Sequence, residues 1–233
     1  MGGLAKILTE CEHEVSGSDL NFYEPMSSQL EALKIELIKG YEKLPDADLY
    51  VIGNALSRGN PSVEKILEEN LDYISGPEML GTIIKSKKVI AVSGTHGKTT
   101  VSAMTASILQ SKYGDVGYLI GGVLGDGSWS ARLGSNEYFI VEADEYDSAF
   151  FDKRSKFIHY FPNILAINNI EFDHADIFDD LTPILKQFSH LLRTIPANGQ
   201  VVFHENDQTT KHLVDKENCC LLYTSDAADD PAS

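Results

Sequence analysis

The sequence predicts an α/β protein built on mostly parallel sheet, in two successive units. Two observations predict it. Short apolar runs alternate with helix-period segments along most of the 233 residues, and strands alternating with helices imply a parallel sheet covered on both faces. A polar "KSKK" at 85 to 88 then separates two such alternating blocks. We expect a first unit over residues 1–85, a second over 86–218, and a non-native tail over 219–233.

The elements follow in order. In the first unit "GLAKILTEC" reads as a helix and "HEVSGSD" as a short strand ending in a turn. "MSSQLEAL" is helical, "IELIKG" a strand, and "DADLYVIGN" a buried strand. "NPSVEKILEEN" places Pro61 at a helix start, where its missing N–H costs nothing. "LDYIS" is a further strand and "GPEMLGTIIKS" a helix. In the second unit "KKVIAVSG" is a buried strand and "KTTVSAMTASILQSKY" its following helix. "VGYLIGG", "EYFIVEAD", "FIHYF" and "ILAINNIEFDH" are expected as strands. "LTPILKQFSHLLRTI" is an amphipathic helix, "GQVVFHEND" a strand and turn, and a surface helix follows.

Both ends carry their own expectations. The glycines of "MGGLAKILTE" stand in a turn with no strand before it, so a first strand is expected to be missing and Met1 to be internal. "CLLYTSDAADD" shares no pattern with what precedes it and resembles the translation of a sequencing adapter.

Composition narrows the function classes. A formal charge of -16 argues against a nucleic-acid surface. It leaves an anionic ligand possible, because a nest of backbone N–H groups overrides a global field locally. No apolar run approaches the ~18 residues of a membrane helix. No basic segment followed by an apolar one opens the chain as a secretory signal would. Cys11, Cys219 and Cys220 make no metal spacing, and so few cysteines fit a reducing cytoplasm.

"GTHGKTT", Gly94 to Thr100, lies between a strand and a helix, the placement a phosphate site requires. Gly94 and Gly97 let main-chain N–H groups face an anion without Cβ obstruction. The helix N-terminus adds a partial positive charge of about half a unit. Lys98 reaches terminal phosphates and Thr99 offers a hydroxyl to Mg²⁺. The general phosphate-loop pattern asks for glycine at position 92, where this chain has Val92; the loop is a shorter form starting at Gly94. A kinase or other NTPase would read the same from this loop alone.

Two apolar strands end in acids. "FIVEADEYD" delivers Glu142, Asp144, Glu145 and Asp147, and "NNIEFDHAD" delivers Glu171, Asp173, His174 and Asp176. At the carboxyl end of parallel strands such side chains face the ligand crevice. Their mutual repulsion calls for a cation or a basic partner, and oxygen ligands suit Mg²⁺.

Together, G-T-H-G-K-T-T, "FIVEADEYD", "NNIEFDHADIFDD" and "HENDQ" resemble the Mur ligase family, whose members join amino acids or peptides to the UDP-N-acetylmuramate precursor of bacterial cell wall. The resemblance covers residues 1 to about 215. It implies a Rossmann-like nucleotide-sugar domain followed by a P-loop-type mononucleotide-binding central domain, with the family's C-terminal domain absent. It implies ATP and Mg²⁺ as cofactors. Gly94, Thr95, His96, Gly97, Lys98, Thr99 and Thr100 would hold the nucleotide, and Asn206 and Asp207 would form the turn near the adenine. A plain Asx turn is nearly as good a reading of that pair. Thr99, Glu142 and His174 would hold magnesium; histidine is an unusual magnesium ligand, so only the resemblance singles out His174.

In the first unit "MGGLA" resembles the end of the family's first glycine-rich turn, so Gly2 and Gly3 would face the diphosphate. Ser18 and Asp19 of "SGSD" follow a strand, where an acid bonds a ribose or uracil donor. In "NALSRGNP" Ser57, Arg58 and Asn60 follow the next buried strand, and Arg58 would fork onto the diphosphate. For each of these a solvated loop is the plain alternative.

The chemistry implied is ligation. ATP phosphorylates the muramoyl carboxylate, an incoming amine attacks the acyl phosphate, and phosphate leaves. Catalysis of this kind is mostly positioning and charge neutralisation. Lys98, His96, Glu142 and His174 would carry it, His96 by orienting a phosphate or the carboxylate. The style of "SRGNP", "SARLG" and "EADEYDSAFFDKRSKFIHY" resembles members that take a murein tripeptide as acceptor; the alternatives are an L-alanine ligase or an inactive nucleotide-binding fragment, and the chain alone is expected not to ligate.

Overall fold

The computed structural model describes residues 1–122, 129–171, 181–217 and 221–224. The first block holds α1 (Gly2–Glu10), β1 (Ser16–Asp19), α2 (Met26–Ala32), β2 (Glu36–Lys39), β3 (Tyr50–Ile52), α3 (Pro61–Glu68), β4 (Tyr73–Ser75) and α4 (Gly76–Ile84). Its strands are parallel, as expected, but they form two separate pairs, β1 with β2 and β3 with β4. Strands of three or four residues make short ladders, and among the described residues no ladder joins β1 to β3. Local chemistry sets the helix starts. Asn60 accepts from the Val63 N–H and Ser75 from the Glu78 N–H, each with a proline in the first turn.

The second block holds β5 (Lys88–Ser93), α5 (Lys98–Tyr113), β6 (Gly117–Leu119), β7 (Ala131–Arg132), β8 (Tyr138–Glu142), a 3-10 helix (Lys156–His159), β9 (Ile164–Ile167), α6 (Leu181–Leu192), β10 (Gln200–His204), α7 (Gln208–Lys216) and β11 (Leu221–Thr224). They build one seven-stranded sheet in the order β11-β10-β9-β5-β8-β6-β7. Every neighbouring pair is parallel except β6 with β7. Central β5 is buried from Val89 to Ser93, so its near-continuous apolar run is that of a strand covered on both sides.

The period-two alternation assigns the faces. Phe139 and Val141 of β8 and Val89 and Ala91 of β5 join one core with Leu4, Ile7 and Leu8 of α1, Leu80 and Ile84 of α4, and Phe188, Leu191 and Leu192 of α6. Ile90 and Ile140 face the other way, onto Ala106 of α5. Fully burying one such side chain stabilises by about 1.5–3 kcal/mol. Helices α1 and α4 of the first block therefore share a core with the second block's sheet.

One expectation changes, and two elements appear that the sequence did not announce. "FIHYF" was expected as a strand; residues 156–159 are a 3-10 helix, because Phe157 and Tyr160, three apart, are both buried. The edge strand β7 was not foreseen, since two residues carry no periodicity. Within the segment set aside as a non-native tail, Leu221–Thr224 pairs with β10 from Val201↔Leu221 to His204↔Thr224. Leu-Leu-Tyr-Thr is strand-prone, and the open edge of β10 supplies a template. Among the described residues no helix is long and apolar enough to cross a membrane.

Candidate functional site

The site lies where β5, β8 and β9 end and α5 begins. Gly94 has φ +130° and Gly97 φ +77°, values that side chains with a Cβ rarely adopt. A Cβ on Gly94 would stand 2.8 Å from the Asn169 carbonyl oxygen, and one on Gly97 would stand 2.8 Å from Asn168 Nδ2. The chain thus turns from β5 into α5 against the end of β9. That turn leaves a cavity of about 310 Å³ lined by residues 95–100 and Glu142.

The turn is clamped from β9. The Thr95 N–H donates to the Asn169 carbonyl at 2.9 Å, and the His96 N–H donates to Asn169 Oδ1 at 2.9 Å. Asn168 Nδ2 donates to the His96 carbonyl at 3.1 Å. Thr95 Oγ1 donates to the Glu171 carbonyl at 3.1 Å and accepts from the Glu171 N–H at 2.9 Å. Preorganisation of this kind lets main-chain dipoles act on a ligand without reordering. The His96 side chain is exposed beside the cavity.

Lys98 and Thr99 open α5. Lys98 Nζ donates to the carbonyls of Gly94 at 2.7 Å and Thr95 at 3.2 Å. Thr99 Oγ1 donates to Glu142 Oε1 at 3.0 Å across to the end of β8. The other Glu142 oxygen accepts from the Gly121 N–H at 2.7 Å. A hydroxyl and a carboxylate meeting at the cavity wall form an oxygen donor set that suits a small hard dication. Thr100, one residue on, also lines the cavity.

The acids after β8 are paired off. Glu145 faces Lys98 at 3.6 Å, Asp144 faces Lys156 at 3.0 Å, and Asp147 faces Lys153 at 2.9 Å. The repulsion expected from the sequence is thus answered by three lysines. His174, Asp173 and Asp176 lie outside the described residues.

The remaining expected site residues divide. Asn206 and Asp207 follow β10 at the same end of the sheet, but Asp207 caps α7, accepting from Thr210 N–H and Oγ1 at 3.0 and 2.6 Å. Ser18 and Asp19 end β1, and Asp19 Oδ1 accepts from Tyr41 Oη at 3.5 Å. Arg58 is exposed and forks onto Glu64, with contacts of 3.0 and 2.9 Å. That guanidinium, with the Gly59 N–H, holds the Glu64 carboxyl down at about 2. Ser57 is exposed, and Asn60 is spent as the cap of α3. Gly2 and Gly3 sit inside α1, Gly2 against Met26. A Cβ on Gly3 would meet Leu119 Cδ1 at 2.7 Å, so this glycine serves close helix packing.

Sequence reasoning passed over Asn168, Asn169, Gly121 and Lys156. The consecutive asparagines at the strand end carry no local sign of the clamp, whose partners lie 72 to 76 residues away along the chain.

Comparison with known proteins places this geometry. Residues 1–88 match the model for the Mur ligase family, catalytic domain, and residues 92–231 match the Mur ligase middle domain. The chain is 53% identical to the UDP-N-acetylmuramate–L-alanyl-gamma-D-glutamyl-meso-2,6-diaminoheptandioate ligase of Escherichia coli (strain K12), over 92% of this chain and 48% of that one. Identity to a UDP-N-acetylmuramate–L-alanine ligase of Clostridium botulinum (strain Kyoto / Type A2) is 35%, over 95% of this chain and 47% of that one. The chain spans about half the length of the curated relatives it matches. A crystal structure of the UDP-N-acetylmuramate:L-alanyl-gamma-D-glutamyl-meso-diaminopimelate ligase from Neisseria meningitides superposes with TM-score 0.88 at 45% identity, covering 97% of this chain and 74% of that one. With a matching family model across more than half its residues, behind a glycine turn clamped to two acid-ended strands, the chain belongs to the Mur ligase family.

Proposed function

We propose that this chain carries the nucleotide-handling half of an ATP-dependent ligase that joins the muramoyl carboxylate of UDP-N-acetylmuramate to the amine of L-alanyl-γ-D-glutamyl-meso-diaminopimelate. The 53% identity to a relative named for that tripeptide, against 35% to one named for L-alanine, supports the acceptor. Residues 1–85 would hold the UDP-sugar and 86–218 the ATP. A cytoplasmic setting accords with the few cysteines.

One observation carries the reading: Lys98 and the Thr99–Glu142 pair converge on a glycine turn at a helix N-terminus. The residues fit a magnesium nucleotide. The turn admits no Cβ at Gly94 or Gly97, and Thr99 and Glu142 supply oxygen donors. Main-chain N–H groups at the start of α5, with Lys98, would hold the β- and γ-phosphates, since the Thr95 and His96 N–H groups already bond Asn169. Thr99 and Glu142 would hold Mg²⁺, with His174 as the resemblance implies. The ion supplies neutralisation of phosphoryl charge. His96 would orient a phosphate or the carboxylate from the cavity rim. Ser18, Asp19, Ser57 and Arg58 would meet the UDP-sugar, Arg58 by exchanging Glu64 for the diphosphate.

The test is ligation, measured as phosphate release with UDP-N-acetylmuramate and either tripeptide or L-alanine. It is run on a chain extended to the length of the relatives and on the 233-residue chain. Turnover with tripeptide by the extended chain is expected. Turnover with L-alanine alone overturns the acceptor, and ATP hydrolysis indifferent to the UDP-sugar overturns the ligase.

A further inference from the structure

We infer that Glu145 is a positioning residue that makes the loop lysine's grip on a triphosphate depend on a divalent cation. The inference rests on the reading that the loop takes a nucleoside triphosphate, and it goes beyond that reading by giving a role to an acid outside the Thr99–Glu142 pair.

Glu145 follows β8 by three residues and is 4% exposed. Burying a carboxylate is costly without a compensating charge. The Lys98 ammonium lies 3.6 Å from its Oε2, with the two side chains 13% and 3% exposed. Glu145 is held from its own main chain, whose carbonyl accepts from Ser155 Oγ at 2.7 Å. Its neighbours do not compete for Lys98: Asp144 has Lys156 and Asp147 has Lys153.

The ammonium of Lys98 is therefore directed inward, onto the Gly94 and Thr95 carbonyls and Glu145. A phosphate in the cavity must draw that ammonium against the pull of a fixed, buried negative charge. Glu142 on the cavity wall adds a second. Among the described residues, two carboxylates against one ammonium make the site unfavourable for a bare polyphosphate. A dication held by Thr99 and Glu142 reverses that sign locally. Glu145 thus favours the metal complex over the free nucleotide, because a bare polyphosphate must draw the Lys98 ammonium away and leave the buried carboxylate uncompensated, whereas a dication supplies part of that positive charge.

The experiment measures ATP affinity of the 233-residue chain by calorimetry, in magnesium and in chelator, with inorganic triphosphate as a competitor. Wild type is expected to bind MgATP more tightly than metal-free ATP. Glu145→Gln keeps the shape and removes the charge. It should tighten metal-free ATP about tenfold and MgATP less than about threefold, the size expected for one screened charge at this range. Glu145→Ala carries the same expectation and stands in if the glutamine chain does not fold. Glu145→Asp keeps the charge and should keep the wild-type dependence. An unchanged magnesium dependence in the neutral variants overturns the inference, as does an equal change in Glu145→Asp. If wild type binds no nucleotide, the reading beneath it fails as well, and that result is distinct from either of the others.

Discussion

The turn at residues 94–99 and the turn at residues 57–64 both join a strand to a helix, yet they spend their polar groups differently. Around the first, partners come from far along the chain. Thr99 meets Glu142 from 43 residues away, His96 meets Asn169 from 73, and Thr95 meets Glu171 from 76. In the second, Asn60 bonds Val63 three residues on and Arg58 bonds Glu64 six residues on. Long-range partners fix a side chain only once the sheet is built, so they mark places where tertiary structure holds a group in position. Local partners serve capping, which any helix start needs. The difference teaches that the main chain of the first turn is held by distant surroundings, whereas the start of α3 is held chiefly by its own side chains; at Lys98 and at Arg58 alike a ligand has to displace a partner already in place.

The largest effect should come from removing the cation of the preorganised turn. Lys98→Met is expected to weaken MgATP binding by about a hundredfold, near 2.7 kcal/mol, and to lower the unfolding midpoint, because Glu145 is left buried without its cation. Calorimetric titration beside thermal melting checks both. Binding within a factor of three of wild type would make the two turns equivalent and break the comparison.

The clamp itself is tested by Gly94→Ala. The new Cβ meets the Asn169 main-chain oxygen at 2.8 Å at a φ of +130°. Backbone cannot give as a flexible side chain does, and strain of about 1–3 kcal/mol follows. Nucleotide affinity should fall about tenfold or more, with amide exchange rising at Thr95 and His96. A loop that binds normally with alanine there would show that the contact with β9 is not what shapes it.

Much of this was legible in the sequence, for identifiable reasons. The glycine turn and the acid-ended strand at Glu142 are local patterns, each written in fewer than ten consecutive residues. Central strand β5 was legible because burial on both faces leaves a continuous apolar run. What was not legible depends on distance. No local signal tells that Asn168 and Asn169 fold back on His96, or that Gly3 is small to admit Leu119. The three lysines that answer Glu145, Asp144 and Asp147 were invisible as partners, because ion pairs 6 to 47 residues apart leave no period. The helical turn at 156–159 reads as a strand from sequence because Phe-Ile-His-Tyr, with Phe157, His159 and Tyr160 buried and Ile158 half-buried, suits a strand as well as a 3-10 helix.

A smaller effect is expected at the locally bonded turn. Asn60→Ala removes the acceptor for the Val63 N–H and should destabilise by about 1 kcal/mol. Nucleotide affinity should not change. Denaturant melts together with the titration above separate the two effects, and a loss of ATP affinity would join the turns that the structure keeps apart.

Arg58→Ala gives the smallest change in stability and the sharpest reading of the comparison. The Arg58–Glu64 pair is exposed, with side chains 69% and 30% accessible, and exposed pairs contribute little. The melting midpoint should stay within about 1 °C of wild type. If the fork exchanges Glu64 for a diphosphate, UDP-N-acetylmuramate affinity should fall about tenfold, since a bidentate charged contact is among the stronger polar interactions. Glu64→Gln then acts in the opposite sense: it frees the guanidinium and should tighten the UDP-sugar. Affinity unmoved by either change would leave Arg58 and Glu64 as a helix-start ion pair and nothing more, and the second turn would be purely structural. Opposite shifts would show that this turn, too, is a binding element, one held in a self-bonded form until an anion displaces the glutamate.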